Sequence, residues 1–232
     1  MSLPKQVLPI FSLVIPSSGK RVNYRPFTVR EEKMLAQAQQ SDDIHVITNA
    51  LKEVIKACVK DVGDVDTLAL FDIEYIITKI RAKSVGEYLD LSMPCDADEN
   101  HQRIPVRINL DQIEVTKPEG HSKNIHLFDD VGVIMKYPSL KDLENFEKAD
   151  GLEAIMACMD QIYTQDEMFE VKDQTKEEIL EFLESLTEKQ IQKIEEQFFK
   201  TIPVFKYEMD YVCSECGHKH HKVIKGLSNF FA

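Results

Sequence analysis

Two cysteines, Cys213 and Cys216, stand two residues apart and are followed by Gly217, His218, His220 and His221. Thiolates at that spacing can close on one cation while amide N–H groups of the same turn bond the sulfurs. Gly217 supplies the backbone freedom such a turn demands. This is the form of a zinc knuckle. One knuckle offers two ligands, and a structural zinc takes four. The remainder can come from His218, His220 or His221, or from a second polar turn that carries Cys95, Asp98 and His101. A metal-free turn that keeps two thiols is the competing reading. Four closed ligands would mean a structural zinc, whereas a catalytic ion needs an open position beside a general base. Redox use of the pair is disfavoured, because a redox CxxC normally opens a helix whose dipole lowers the thiol pKa.

Both turns sit between strand patterns. Leu89, Leu91 and Met93 alternate with Asp90 and Ser92 before Cys95. Alternation resumes at Ile104, Val106, Ile108 and Leu110, and then at Ile113 and Val115. Phe205, Tyr207, Met209 and Tyr211 alternate with Lys206, Glu208 and Asp210 before Cys213, and Val223-Ile224 returns. The two stretches share one shape: strand, cysteine-centred polar turn, strand. That shape suggests a zinc ribbon split across the sequence, or a degenerate repeat.

The rest of the chain supplies the frame. Residues 7–15 and 20–25 flank Pro16-Ser17-Ser18-Gly19 and read as a hairpin. Thr28 with Glu31 forms a capping box for a first helix. A second helix runs over residues 44–59, opened by Asp42 or Asp43, with Ile44, Ile47, Leu51, Val54, Ile55 and Cys58 on its buried face. A third carries Ile73, Ile76, Ile77 and Ile80 as one stripe, with Asp72 as its N-cap. Residues 131–137 read as another strand. Ser139 and Asp142 start a short helix toward Phe146, and Leu152, Ile155, Met156, Met159 and Ile162 stripe the next. Thr175 with Glu178, and Thr187 with Gln190, are capping boxes for two more. The expected fold class is α+β. Its four segments are an N-terminal β-hairpin with a three-helix unit (1–87), a middle β segment (88–138), a helical region (139–200) and a C-terminal β-hairpin with a zinc-knuckle-like turn (201–232).

Composition narrows the function. Among 232 residues, 43% are hydrophobic and 29% charged, the balance of a globular chain with a sizeable core. Forty acidic residues against 28 basic give a net charge of −12, which disfavours nonspecific binding to phosphate backbones. No apolar run approaches the ~20 residues of a membrane span. Five cysteines are an odd number, and Cys58 and Cys158 fall on apolar faces that read as helical, which argues against a disulfide framework and for a reducing compartment. No nucleophile elbow surrounds any serine. The carboxylate pairs Glu31-Glu32 and Glu177-Glu178 sit in helix first turns, where the dipole explains them. No catalytic residue is assigned.

The chain also resembles a known family. The blocks are Arg25-Pro-Phe-Thr-Val-Arg-Glu-Glu-Lys33, Phe71-Asp-Ile-Glu-Tyr75 and Arg81-Ala-Lys-Ser-Val-Gly-Glu87, followed by a cysteine-centred β turn. They are similar to the baseplate hub and hub-assembly proteins of T-even-type contractile-tailed bacteriophages. The likeness covers the N-terminal half closely and the terminal hairpin loosely. Members often carry a CxxC in the middle turn; here Asp98 stands where the second cysteine would be. The resemblance implies a non-enzymatic role in building the central hub, with other hub proteins as partners. It places the chain in the host cytoplasm during assembly or in the tail baseplate. Phe230-Phe231-Ala232 is either a candidate docking tail or a segment that packs back on its own hairpin, and self-association is a further partner expectation. Two other readings stand beside this one. A nucleic-acid-binding zinc ribbon would use His218, Lys219, His220, His221, Lys222 and Lys225 beside Tyr211. A metal-dependent hydrolase would need an open metal site.

Overall fold

The computed structural model describes residues 6–143 and 151–226. The expected continuation of the short helix to Phe146 and the tail Phe230-Phe231-Ala232 lie outside the described residues. The chain is of the α+β class. Its strands are β1 (Phe11–Val14), β2 (Arg21–Tyr24), β3 (Val59–Lys60), β4 (Tyr88–Met93), β5 (Ile104–Asn109), β6 (Glu114–Thr116), β7 (Asn124–Phe128), β8 (Val131–Met135), β9 (Met159–Tyr163), β10 (Met168–Glu170), β11 (Val204–Val212) and β12 (Lys219–Lys225). Its described α-helices are α1 (Val29–Gln39), α2 (Ile44–Cys58), α3 (Leu70–Ser84), α4 (Gly151–Ala157), α5 (Lys176–Ser185) and α6 (Glu188–Gln197). None of these helices is long and apolar enough to cross a membrane. The contacts divide the chain into two compact units, residues 1–65, 71–116 and 204–232, and residues 66–70 and 117–203.

In the first unit, β1 and β2 form an antiparallel hairpin to which β3 adds as a third strand. Thr28 and Glu31 make the capping box of α1, and Asp43 caps α2 by accepting the His45 amide N–H at 2.8 Å. Ile73, Ile76, Ile77 and Ile80 of α3 are fully buried, as the stripe predicts. Asp72 departs from its expected role. The helix starts two residues earlier, so Asp72 lies inside the first turn. Its buried carboxylate accepts from the Ser17 amide at 2.9 Å and the Ser17 hydroxyl at 2.5 Å, holding the hairpin tip against α3. Lys79 is buried on the same helix. It donates to the Asp111 carbonyl at 2.5 Å and the Leu110 carbonyl at 3.4 Å, tying α3 to the chain that leaves β5. β4 pairs with β5 in a two-stranded ribbon, while β12, β11 and β6 form a three-stranded antiparallel sheet in that order.

The second unit is a four-stranded antiparallel sheet, order β10-β9-β8-β7, packed with α4, α5 and α6. Ile125, Val133, Met135, Cys158, Met159, Ile194 and Phe198 are buried in its core. Thr175 with Glu178 and Thr187 with Gln190 are capping boxes, as expected. The expected helix through Ile162 is shorter: α4 stops at Ala157, and residues 159–163 are strand β9, paired on one side with β8 and on the other with β10. Cys158 is accordingly the buried joint between α4 and β9, not a helical residue. β7 has no counterpart in the sequence reading.

Gly132 of β8 is where this sheet leaves no room for a side chain. It pairs with Tyr163 of β9, and a Cβ there would meet the Tyr163 hydroxyl and come within 2.7 Å of the Ile125 carbonyl oxygen. The tyrosine can swing aside; the backbone oxygen cannot. Gly132→Ala is expected to cost about 1–3 kcal/mol, read as a lower urea midpoint. Gly151→Ala is the control. Nothing lies within 4 Å of a Cβ there, and its change should stay within about 0.5 kcal/mol.

Candidate metal centre

The Cys213–Cys216 turn is carried by the β11–β12 ladder, which runs in continuous register from Lys206↔Lys225 to Val212↔Lys219. The Gly217 amide donates to the Cys213 carbonyl at 2.9 Å, and the Cys213 amide donates to the His218 carbonyl at 2.9 Å. Gly217 has φ 70°, a conformation that other residues adopt only with strain. The second turn closes β4 onto β5. There the Asp98 side chain accepts from the Asn100 amide and side-chain nitrogens, each at 2.9 Å, and the His101 amide donates to the Asp98 carbonyl at 3.2 Å. Asp98 thus winds the turn.

The two turns meet. The Gln102 amide donates to Glu215 Oε1 at 2.7 Å, the Tyr211 hydroxyl donates to the Pro94 carbonyl at 3.2 Å, and His220 Nδ1 lies 3.4 Å from Asp96 Oδ2. Between them stand Cys95, His101, Cys213 and Cys216, whose ligand atoms all lie within 4.8 Å of one another. Cys95 Sγ is 3.8 Å from Cys216 Sγ, and Cys213 Sγ is 3.6 Å from His101 Nδ1. Cys95 and Cys213 are buried, His101 is half-buried and Cys216 is exposed. The amide N–H groups of Ala97 and Asp98 bond Cys95, and that of His218 bonds Cys216. Backbone donors therefore point at sulfurs in both turns. Such a group could hold a metal ion.

Its electrostatics favour a cation. The bond from His101 is the main cause that pulls the Cys95 thiol down to about 5, helped by the Ala97 and Asp98 amides and opposed by desolvation. The same bond to Cys95 raises His101. At Cys216 the His218 amide lowers the thiol pKa. Desolvation and the crowding of Cys213 and Cys95 raise it, and the net shift is upward. Three sulfurs this close cannot all ionise without positive charge among them.

Of the six residues singled out in the sequence, Cys95, His101, Cys213 and Cys216 come together, while His218 and His220 stand outside the group. His220 is buried, stacks on Tyr211 with ring centroids 4.7 Å apart, and meets His218 edge-on at 4.6 Å. His221 pairs with Asp210 on the facing strand at 2.9 Å. The residues that dock the turns, Asp96, Gln102, Tyr211 and Glu215, carry no sequence signal, because their partners lie more than 100 positions away. All five cysteines are free thiols. Desolvation raises Cys58 to about 11 and Cys158 to about 12, which makes them inert packing residues. Two surface hollows of about 420 Å3 are lined by residues that include Tyr163 and Glu167, and Glu114 and Lys206; none of the four metal-centre residues lines either.

Comparison with known proteins places this geometry in a family context. No solved structure matches the chain. It is 27% identical over 214 residues to the baseplate hub assembly protein gp26 of Enterobacteria phage T4, an alignment that covers 92% of this chain and 93% of that one. A family model described as T4 bacteriophage base plate protein matches residues 8–232, across both compact units and both cysteine-bearing turns. The chain therefore belongs to the T4 bacteriophage base plate protein family.

Proposed function

We propose that this protein is a non-catalytic component in the assembly of the baseplate's central hub, working through protein–protein contacts with other hub proteins in the infected cell's cytoplasm. The observation that carries this reading is the nearly end-to-end likeness to a hub assembly protein. The chemistry is compatible with it. The one group among the described residues that could hold a metal ion offers four protein ligands and lines neither hollow, so a structural zinc suits it better than an ion that activates water. Part of the terminal hairpin's basic patch is matched by acids: His221 meets Asp210 and His220 meets Asp96. Those pairs and the net charge of −12 weaken the positive field available to a phosphate backbone.

The test is made in the infected cell. A tagged copy is expected to co-purify with hub proteins, and a phage lacking the gene is expected to accumulate tails without complete hubs. Complete hubs in the deletion phage would overturn the proposal.

A further inference from the structure

We propose that Cys95, His101, Cys213 and Cys216 are the four ligands of a closed Zn2+ centre, with His101 binding through Nδ1, and that this ion staples the β4–β5 turn to the β11–β12 turn. It deepens the structural-zinc reading above and rests on it only for the absence of an open coordination position.

The argument begins with distances. Zinc binds thiolate sulfur at about 2.3 Å and imidazole nitrogen at about 2.0–2.1 Å, so a tetrahedron has S···S edges of about 3.8 Å and S···N edges of about 3.6 Å. The Cys95–Cys216 separation is 3.8 Å and the Cys213–His101 Nδ1 separation is 3.6 Å. These two opposite edges share no residue, and together they define the tetrahedron. Every remaining pair lies within 4.8 Å, so closure asks for side-chain shifts of about 1 Å at most.

The donor set comes next. Three thiolates and one imidazole are soft ligands that select zinc over magnesium or calcium, whose sites are built from oxygen. Asp98, the nearby hard ligand, spends one carboxylate oxygen on Asn100 and turns the other toward His101 Nε2 at 3.8 Å. That is the side on which a metal-bound histidine carries its acceptor, and it leaves Nδ1 free to ligate. The Ala97, Asp98 and His218 amides already aim at sulfurs, which compensates the thiolate charge that zinc leaves incompletely neutralised.

Connectivity gives the consequence. Each turn contributes two ligands, and more than 100 residues separate the turns in sequence. The direct protein bonds between them are few, principally Gln102 to Glu215 and Tyr211 to Pro94. One ion with four bonds is then the main clamp, and its binding energy is folding energy for that end of the unit.

The experiment uses the full chain purified without chelator. Elemental analysis is expected to find about one zinc per chain. Titration with a mercurial should release it as the site's thiols are consumed, and chelation should loosen the two hairpins in amide exchange while leaving residues 117–203 protected. Because cysteine variants can misfold, the wild-type chain reloaded with Co2+ gives an independent reading. Intense visible bands of a tetrahedral cobalt thiolate are expected, and in the diamagnetic zinc-loaded chain a nitrogen-15 shift of metal-bound Nδ1 at His101. Cys95→Ser with Cys216→Ser should abolish metal content, and His218→Ala should retain it. A zinc-free folded wild-type chain after reloading, iron in place of zinc, a weak octahedral cobalt spectrum, or zinc retained in the double variant would overturn the centre. Hub co-purification is scored separately. A metal-free chain that still joins the hub removes the centre and leaves the assembly reading, while a zinc-loaded chain that joins none does the reverse.

Discussion

Phe198→Ala is expected to destabilise the second unit by about 3–5 kcal/mol and to lower its melting temperature by roughly 15–30 °C. Phe198 follows α6, is fully buried, and touches three rings: it stacks with Tyr137 at 5.9 Å, tilts against His121 at 5.6 Å and meets Phe199 edge-on at 5.2 Å. Truncation removes a large apolar surface and leaves a cavity between α6 and the sheet that neighbouring rings cannot fill without breaking other contacts. His121 is pinned on both sides, with Nδ1 2.9 Å from the Thr201 hydroxyl and Nε2 2.9 Å from the Tyr137 hydroxyl. Its ring cannot swing inward cheaply, so the upper half of the range applies. A second readout separates cavity formation from general loosening. Burial, with help from Lys117 and Lys123, holds the His121 pKa below its ordinary value. Water entering the cavity should raise it, as measured by NMR titration. A melting temperature within 3 °C of wild type would mean that the site collapses and the cavity argument fails.

The same unit shows which parts of the fold can be read locally. α5 and α6 announce themselves because each begins with a reciprocal pair three residues apart, Thr175 with Glu178 and Thr187 with Gln190, and a capping box is complete within one turn. β9 does not. Ile155, Met156, Met159 and Ile162 keep helical spacing through Cys158, yet the chain turns at that residue and Met159–Tyr163 becomes a strand. The deciding partners are β8 and β10, and strand pairing is a non-local bond that no window of this stretch contains. Asp72 fails as a predicted cap for a related reason. Its type and position fit an N-cap, but the carboxylate is claimed by Ser17, 55 residues earlier.

The site divides along the same line. Cys213 and Cys216 are legible because a two-residue spacing with a following glycine is a local device. The choice of His101 over His218 and His220 is not. Both excluded histidines are closer in sequence to the CxxC, and His220 is lost to the group because its ring stacks on Tyr211 and reaches Asp96. His101 enters because Asp98 winds the middle turn. Only the docking of two turns, through Glu215 and Tyr211, turns four scattered side chains into one cluster.

Acid should remove an anchor at the start of α1. Glu31 is buried at the start of α1, where desolvation alone would raise its pKa. The bonds from the Thr28 hydroxyl at 2.6 Å, Arg25 at 3.2 Å and the Thr28 amide at 2.7 Å outweigh that and hold it at about 2, against 4.5 for the free group. The folded value lies below the unfolded one, so the native state prefers the carboxylate. Its contribution is fully present above about pH 4.5 and is lost as pH falls toward 2, where both states bind the proton. The shift corresponds to at most about 3 kcal/mol. Glu31→Gln keeps an oxygen for the Thr28 donors but loses the charge that Arg25 faces. It is expected to lose about 1–2 kcal/mol at pH 7. Urea melts of the two chains at a series of pH values should show the gap closing below pH 4.5, because the wild type surrenders the carboxylate that the variant never had. A gap that stays constant down to pH 3 would mean that this carboxylate is not what ties the hairpin's exit at Arg25 to the first turn of α1.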